Sequence, residues 1–202
     1  MTAAAPQHER TELDGGPLGR LTFQWTGDRY QHHWCFGEQQ TRLLESIESD
    51  HSVPWPDSPP LQQVYHQRFD DGRDVMFGIG MAGRGHWSVS FTLVPDLRSW
   101  IVELACCSPT PPELLASSYR LQPDHWQIDP AESSPNLAPV GIRGCTHAEL
   151  GLSLEPVSLL TLANVDLGGG RLRFTPSDLG LGSSSGSSGS TTIQWGYRLR
   201  IR

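Results

Sequence analysis

Lysine is missing altogether: all 15 basic residues of the 202 are arginine. That absence excludes a lysine Schiff base with PLP and the Walker A lysine that holds a nucleotide phosphate. Basic charge is also in deficit, with 22 acidic residues and a formal charge of -7 at pH 7. A general nucleic-acid surface needs a basic footprint to release counterions, so no nucleic-acid partner is expected. Cysteine is scarce. Cys35, Cys106, Cys107 and Cys145 show neither a CxxC nor a zinc-ribbon spacing. Cys106 and Cys107 are neighbours on an expected strand, facing opposite ways and poorly placed to bridge each other. Long apolar runs are lacking too, none approaching the ~18 residues of a membrane span. The opening "MTAAAPQHERTELDGGP" has no basic n-region and no apolar h-region. The expectation is a soluble, reduced, cytoplasmic chain without a membrane partner. Helix patterning is the last scarcity, and 21 glycines with 16 prolines agree with many turns and few long helices.

What is present is a period of two. A chain of this length buries roughly 70% of its extended surface and needs no metal or disulfide to fold. Leu21, Phe23 and Trp25 share one face of "LTFQWT", Gly27-Asp28 signals a turn, and Tyr30, His32, Trp34 and Phe36 alternate in the return. In "TTIQWGYRLRIR", Ile193, Trp195, Tyr197, Leu199 and Ile201 face one way and the arginines the other. That strand, residues 191–202, is read as an exposed edge able to pair between chains. The thin stripe of Leu43, Leu44 and Ile47 leans residues 38–50 towards strand rather than helix. "PWPDSPP" (54–60) reads as a proline-set crossover, residues 1–16 as a flexible tail, and "GLGSSSGSSGS" (180–190) as a flexible Ser/Gly loop. The expected fold is all-β: a single domain over 17–202, either an antiparallel sandwich or a partly open barrel.

The stretch "DVMFGIGMAGRGHW" carries G-x-G-x-x-G at Gly78, Gly80 and Gly83. A dinucleotide site requires those glycines to open a helix whose amides receive the pyrophosphate. Here Trp87, Val89, Phe91 and Leu93 alternate with His86, Ser88, Ser90 and Thr92, so a strand follows and no cofactor is expected. A four-residue loop at 95–98 pairs Leu93 with Trp100, Phe91 with Val102, Val89 with Leu104 and Trp87 with Cys106. A slip by one residue would put Ser90 and Glu103 into the core. Backwards, a five-residue loop at 81–85 would pair Ile79 with Trp87, Phe77 with Val89 and Val75 with Phe91. Gly78 and Gly80 would then floor the opposite, polar face, bordered by Arg84, His86, Ser88, Ser90 and Glu103. Strand glycines mark close approach by another backbone or by a ligand. Either a proline-rich segment or an aromatic covers this floor, or it is a polar pocket with a His86/Glu103 acid–base pair.

Other constellations are weaker. Gly182–Gly186 satisfies G-x-S-x-G, but a serine tract leading into a strand is not a nucleophile elbow. A metal site from His32, His66 and His86 is conceivable, yet HExxH and H-x-H are missing, and no metal is expected. Trp25, Trp87, Trp100 and Trp195 fall on apolar faces, whereas Trp55 and Trp126 are the surface candidates. The combination "LLESIES…PWPDSPPLQQ…GMAGRGHWSVS" resembles an uncharacterised family of bacterial proteins, mainly over residues 43–120. That resemblance implies a domain and carries no activity, cofactor or catalytic residue. The functional expectation is a non-enzymatic binding or interaction module for a protein or small polar ligand. The alternative is a small enzyme using His86 and Glu103.

Overall fold

The computed structural model describes residues 10–38, 40–121, 126–128, 145–147, 152–156, 163–176 and 190–201. Every described strand is antiparallel to its neighbours. The strands are β1 (Thr11–Asp14), β2 (Arg20–Trp25), β3 (Tyr30–Phe36), β4 (Thr41–Ser46), β5 (Gln63–Arg68), β6 (Asp74–Ala82), β7 (Gly85–Val94) and β8 (Ser99–Ser108). They continue as β9 (Ser117–Leu121), β10 (Trp126–Ile128), β11 (Cys145–His147), β12 (Leu152–Pro156), β13 (Ala163–Gly168), β14 (Arg171–Pro176) and β15 (Thr191–Ile201). Sheet A has the order β1-β2-β3-β4-β9-β14-β13, and sheet B the order β10-β11-β12-β15-β8-β7-β6-β5. Among the described residues both orders are open, so the sheets are not closed into a barrel, and the arrangement is consistent with a sandwich.

The alternating faces meet between the sheets in one apolar cluster. Trp34 of sheet A meets Trp100 of sheet B edge to face at 4.9 Å, and Phe23 meets Phe91 likewise at 5.3 Å. Phe174 stacks on Tyr197 at 3.9 Å. Each such pair adds about 0.5–1.5 kcal/mol beyond the area it buries. One polar seam crosses this core. His32 Nε2 lies 3.0 Å from the Tyr119 hydroxyl, which also bonds the Tyr197 hydroxyl. The Ser117 hydroxyl sits 3.1 Å from Tyr197. Phe23 and Phe91 pack around the His32 ring, and burial drives its pKa down to about 3, holding it neutral.

Residues 38–50 do hold a strand, β4. A bulge there pairs Trp34 with Leu44 but Cys35 with Arg42, leaving Leu43 as the extra residue. The bulge lets two consecutive leucines, Leu43 and Leu44, both be buried. After β4 the proline segment crosses from sheet A to sheet B. Asp57 is held by Arg171 and by Arg173 Nη2 at 2.7 Å, and the Ser58 hydroxyl donates to the Ser118 carbonyl at 3.0 Å.

Several expectations need correction. Residues 11–14 are not tail but β1, with Leu13 buried. The last strand is not an edge: β15 lies inside sheet B, paired to β8 on one side and β12 on the other. Its in/out alternation is as read, with Ile193, Trp195, Tyr197, Leu199 and Ile201 buried. Trp55 is half-buried, packed against the core on one side. Residues 1–9, the serine tract up to Gly189 with its G-x-S-x-G, and the Trp126 side chain lie outside the described residues.

Candidate functional site: the outer face of sheet B

The β7–β8 hairpin has the expected register, with Val94 opposite Ser99, Val89 opposite Leu104 and Trp87 opposite Cys106. The β6–β7 hairpin is shifted by one residue from expectation. Its loop is Gly83-Arg84 alone, closed by Ala82 opposite Gly85. Gly83 has φ +54, as a two-residue turn with glycine in first place requires. Met76, Gly78 and Gly80 therefore face Phe91, Val89 and Trp87 on the core side. Val75, Phe77, Ile79 and Met81 take the outer side.

Gly78 and Gly80 are thus not the floor of a polar face. They lie under the proline crossover. A Cβ on Gly80 would sit 1.7 Å from the Pro60 carbonyl oxygen, and one on Gly78 would meet Leu61 at 2.9 Å. Close approach by another backbone, one of the two readings of strand glycine, is what these residues serve.

The outer face is organised in lateral rows. One row runs Tyr65–Phe77–Ser90–Glu103–Gly196 across β5, β6, β7, β8 and β15. The next runs Gln63–Ile79–Ser88–Ala105–Gln194 through the same pairings. Between the two banks the side chains are small, and a groove of about 380 Å³ lies over Ser88, Ser90, Ala105 and Gly196. Gly196 has no choice of side chain, since a Cβ there would stand 2.8 Å from the Val102 carbonyl oxygen.

The apolar bank is Tyr65, Phe77 and Ile79. The Tyr65 and Phe77 rings stack at 5.3 Å, and Tyr65 is 50% exposed, Ile79 41% and Met81 47%. The polar bank is Glu103 and Gln194. Glu103 accepts a hydrogen bond from the Ser90 hydroxyl at 3.2 Å and has no ion-pair partner among the described residues. Phe77 and Glu103 stand two strand spacings apart, about 10 Å between backbones. That gap admits one ring or one long side chain.

Of the site residues read from the sequence, Ser88, Ser90 and Glu103 come together in the groove, and Gly78 also lines it, between Phe77 and Ile79. Arg84 is exposed in the hairpin loop. His86 stays on the outer face but opposite Cys107, while Glu103 is opposite Ser90. Four residues along the strand, about 13 Å, separate them. The His86/Glu103 pair does not form. The Cys107 thiol beside His86 is held below its ordinary pKa by hydrogen bonds from Thr192 and Ser190. His32, His66 and His86 are likewise dispersed: His32 is in the core, His66 binds Asp74 at 3.0 Å at the edge of sheet B, and His86 faces out. No known protein family, curated protein or solved structure matches the chain.

Sequence reasoning does not single out Tyr65, Phe77, Ile79 or Gln194, because it places Phe77 and Ile79 in the core. The "GR" between Ala82 and Gly85 suits a two-residue turn with glycine first, but the same residues also fit the five-residue loop at 81–85, so the turn does not by itself fix the register.

Proposed function

We propose that this chain is a non-catalytic binding module and that the groove on sheet B is its ligand site. The observation that carries the reading is the apolar bank. Phe77, Ile79 and the half-exposed Tyr65 present apolar surface to solvent beside a floor of small residues. An exposed apolar patch rimmed by polar groups marks an interaction site. The groove lining favours binding over turnover. Among the described lining residues Glu103 is the single carboxylate, and no histidine, cysteine or arginine lines the groove with it. An anionic polymer fits poorly against that carboxylate. The free state of Cys35, Cys106 and Cys107 supports a reducing compartment, with cytoplasmic residence as part of the same proposal.

A fragment library screened by amide chemical shifts tests the reading. Hits are expected to concentrate on residues 77–79, 88–90, 103–105 and 194–196. Ser90→Leu, which fills the floor without touching the core, should abolish them. Hits scattered over the surface, or unchanged in Ser90→Leu, would defeat the proposal.

A further inference from the structure

We infer that the groove selects an organic cation, an ammonium or guanidinium carried next to an apolar group, as on a lysine or arginine side chain or a small aralkylamine. The inference rests on the groove being the ligand site. Three features converge on this class. The groove has one ionic group, the Glu103 carboxylate, and no cation among its described lining residues neutralises it. The Ser90 hydroxyl supplies only one hydrogen bond, to Oε2, so acceptor capacity is left for a donor arriving from the groove. The opposite bank is aromatic: Phe77, stacked on the exposed Tyr65, gives the apolar body that carries the charge a ring to lie against.

The spacing sets the ligand's shape. With about 10 Å between the Phe77 and Glu103 backbones, an apolar body lies against Phe77 and Ile79 while its charged head reaches Glu103. The Ser88 hydroxyl and the Gln194 amide flank that head as secondary acceptors. The overall charge of -7 adds a long-range attraction for the same sign of ligand. A neutral sugar could also stack on Tyr65, but it would leave the carboxylate uncompensated beside an apolar wall. The cation is therefore the class the groove favours.

Three probes with one ring and different charge separate these contributions: benzylammonium, benzyl alcohol and benzoate, titrated at pH 7 and followed by amide shifts. Methyl glucoside serves as the neutral polyol. Benzylammonium is expected to bind at least tenfold tighter than benzoate and severalfold tighter than benzyl alcohol, shifting Ser88, Ser90 and Ala105. Glu103→Gln, an exposed and nearly isosteric change, should keep the wild-type melting temperature and bring benzylammonium within twofold of benzyl alcohol. Added salt should weaken only the wild-type preference. Equal binding of the three aromatic probes, insensitive to Glu103→Gln, overturns the cation while leaving the groove as a ligand site. Tighter binding of methyl glucoside than of benzylammonium overturns it in favour of a sugar. Groove residues that no probe and no library fragment perturbs sink both this inference and the binding-site reading beneath it.

Discussion

Two buried titratable side chains have opposite effects on stability. Burial lowers the His32 pKa to about 3, so its folded form refuses a proton that the unfolded chain accepts below about 6.5. Stability from this group is complete above that pH and falls as pH drops towards 3, by ~1.4 kcal/mol per unit. His33, lowered to about 4 chiefly by burial, adds to the same limb. Glu48 behaves in the reverse sense. Desolvation lifts its carboxyl to about 7, against a hydrogen bond from the Ser46 hydroxyl at 2.7 Å. Its other oxygen is buried without a partner among the described residues. The unfolded chain ionises Glu48 above about 4.5, so stability is lost between there and 7. Glu48→Gln should therefore gain on the wild type by ~1.4 kcal/mol per unit across that interval. Urea unfolding at pH 5, 6, 7 and 8 checks this. A constant offset at every pH would show that the carboxyl is not held neutral.

At the scale of the elements, β6 decides where the groove lies. "DVMFGIGMA" is apolar on both faces, so alternation alone does not orient it, and side-chain size favours Phe77 and Ile79 for the core. The fold does the opposite. It sends Phe77, Ile79 and Met81 outward and brings glycines in, because the Pro59-Pro60-Leu61 backbone already occupies the space between β6 and sheet A. Leu61 is fully buried, and its carbonyl accepts from the Tyr30 amide at 2.6 Å. The two glycines should accordingly respond unequally to alanine. At Gly80 the obstacle is backbone, and Gly80→Ala should cost at least the ~3 kcal/mol upper range of overpacking. At Gly78 the obstacle is the Leu61 side chain, which can rotate away in part, so the cost should be clearly smaller. Thermal denaturation of the two variants compares them. Equal losses would mean that the crossover does not rest on Gly80.

At the scale of the whole molecule, the sheets are joined by aromatic packing and by one hydrogen-bonded seam. Tyr119 and Ser117 belong to sheet A and Tyr197 to sheet B. Both phenols are buried and held above their ordinary pKa, mainly by desolvation. Removing the Tyr119 hydroxyl strips the buried His32 Nε2 of its partner, and removing that of Tyr197 takes a partner from both Tyr119 and Ser117, so Tyr119→Phe or Tyr197→Phe should each cost about 1–3 kcal/mol. The double variant should cost less than the sum, by roughly 0.5 kcal/mol or more of coupling. Additive losses in a double-mutant cycle would show that the two hydroxyls act independently.

The sequence by itself determined the all-β class, the inward faces of β2, β3, β7, β8 and β15, and the β7–β8 register. Each of these strands carries most of its large apolar side chains on one face and most of its charged or polar ones on the other, Glu103 the one charged residue on β8, so only one arrangement buries the former without the latter. It also exposed the false dinucleotide fingerprint, since a strand follows the glycines. Tertiary structure alone decided the register of β6, and with it the groove. Both faces of β6 could be buried at similar gain, and the choice fell to a proline segment from elsewhere in the chain that leaves no room for a Cβ at Gly80. Ser88, Ser90 and Glu103 keep the outward placement read from the sequence because the inward faces of β7 and β8 are unambiguous. The apolar bank facing them was invisible until that distant contact turned β6 over.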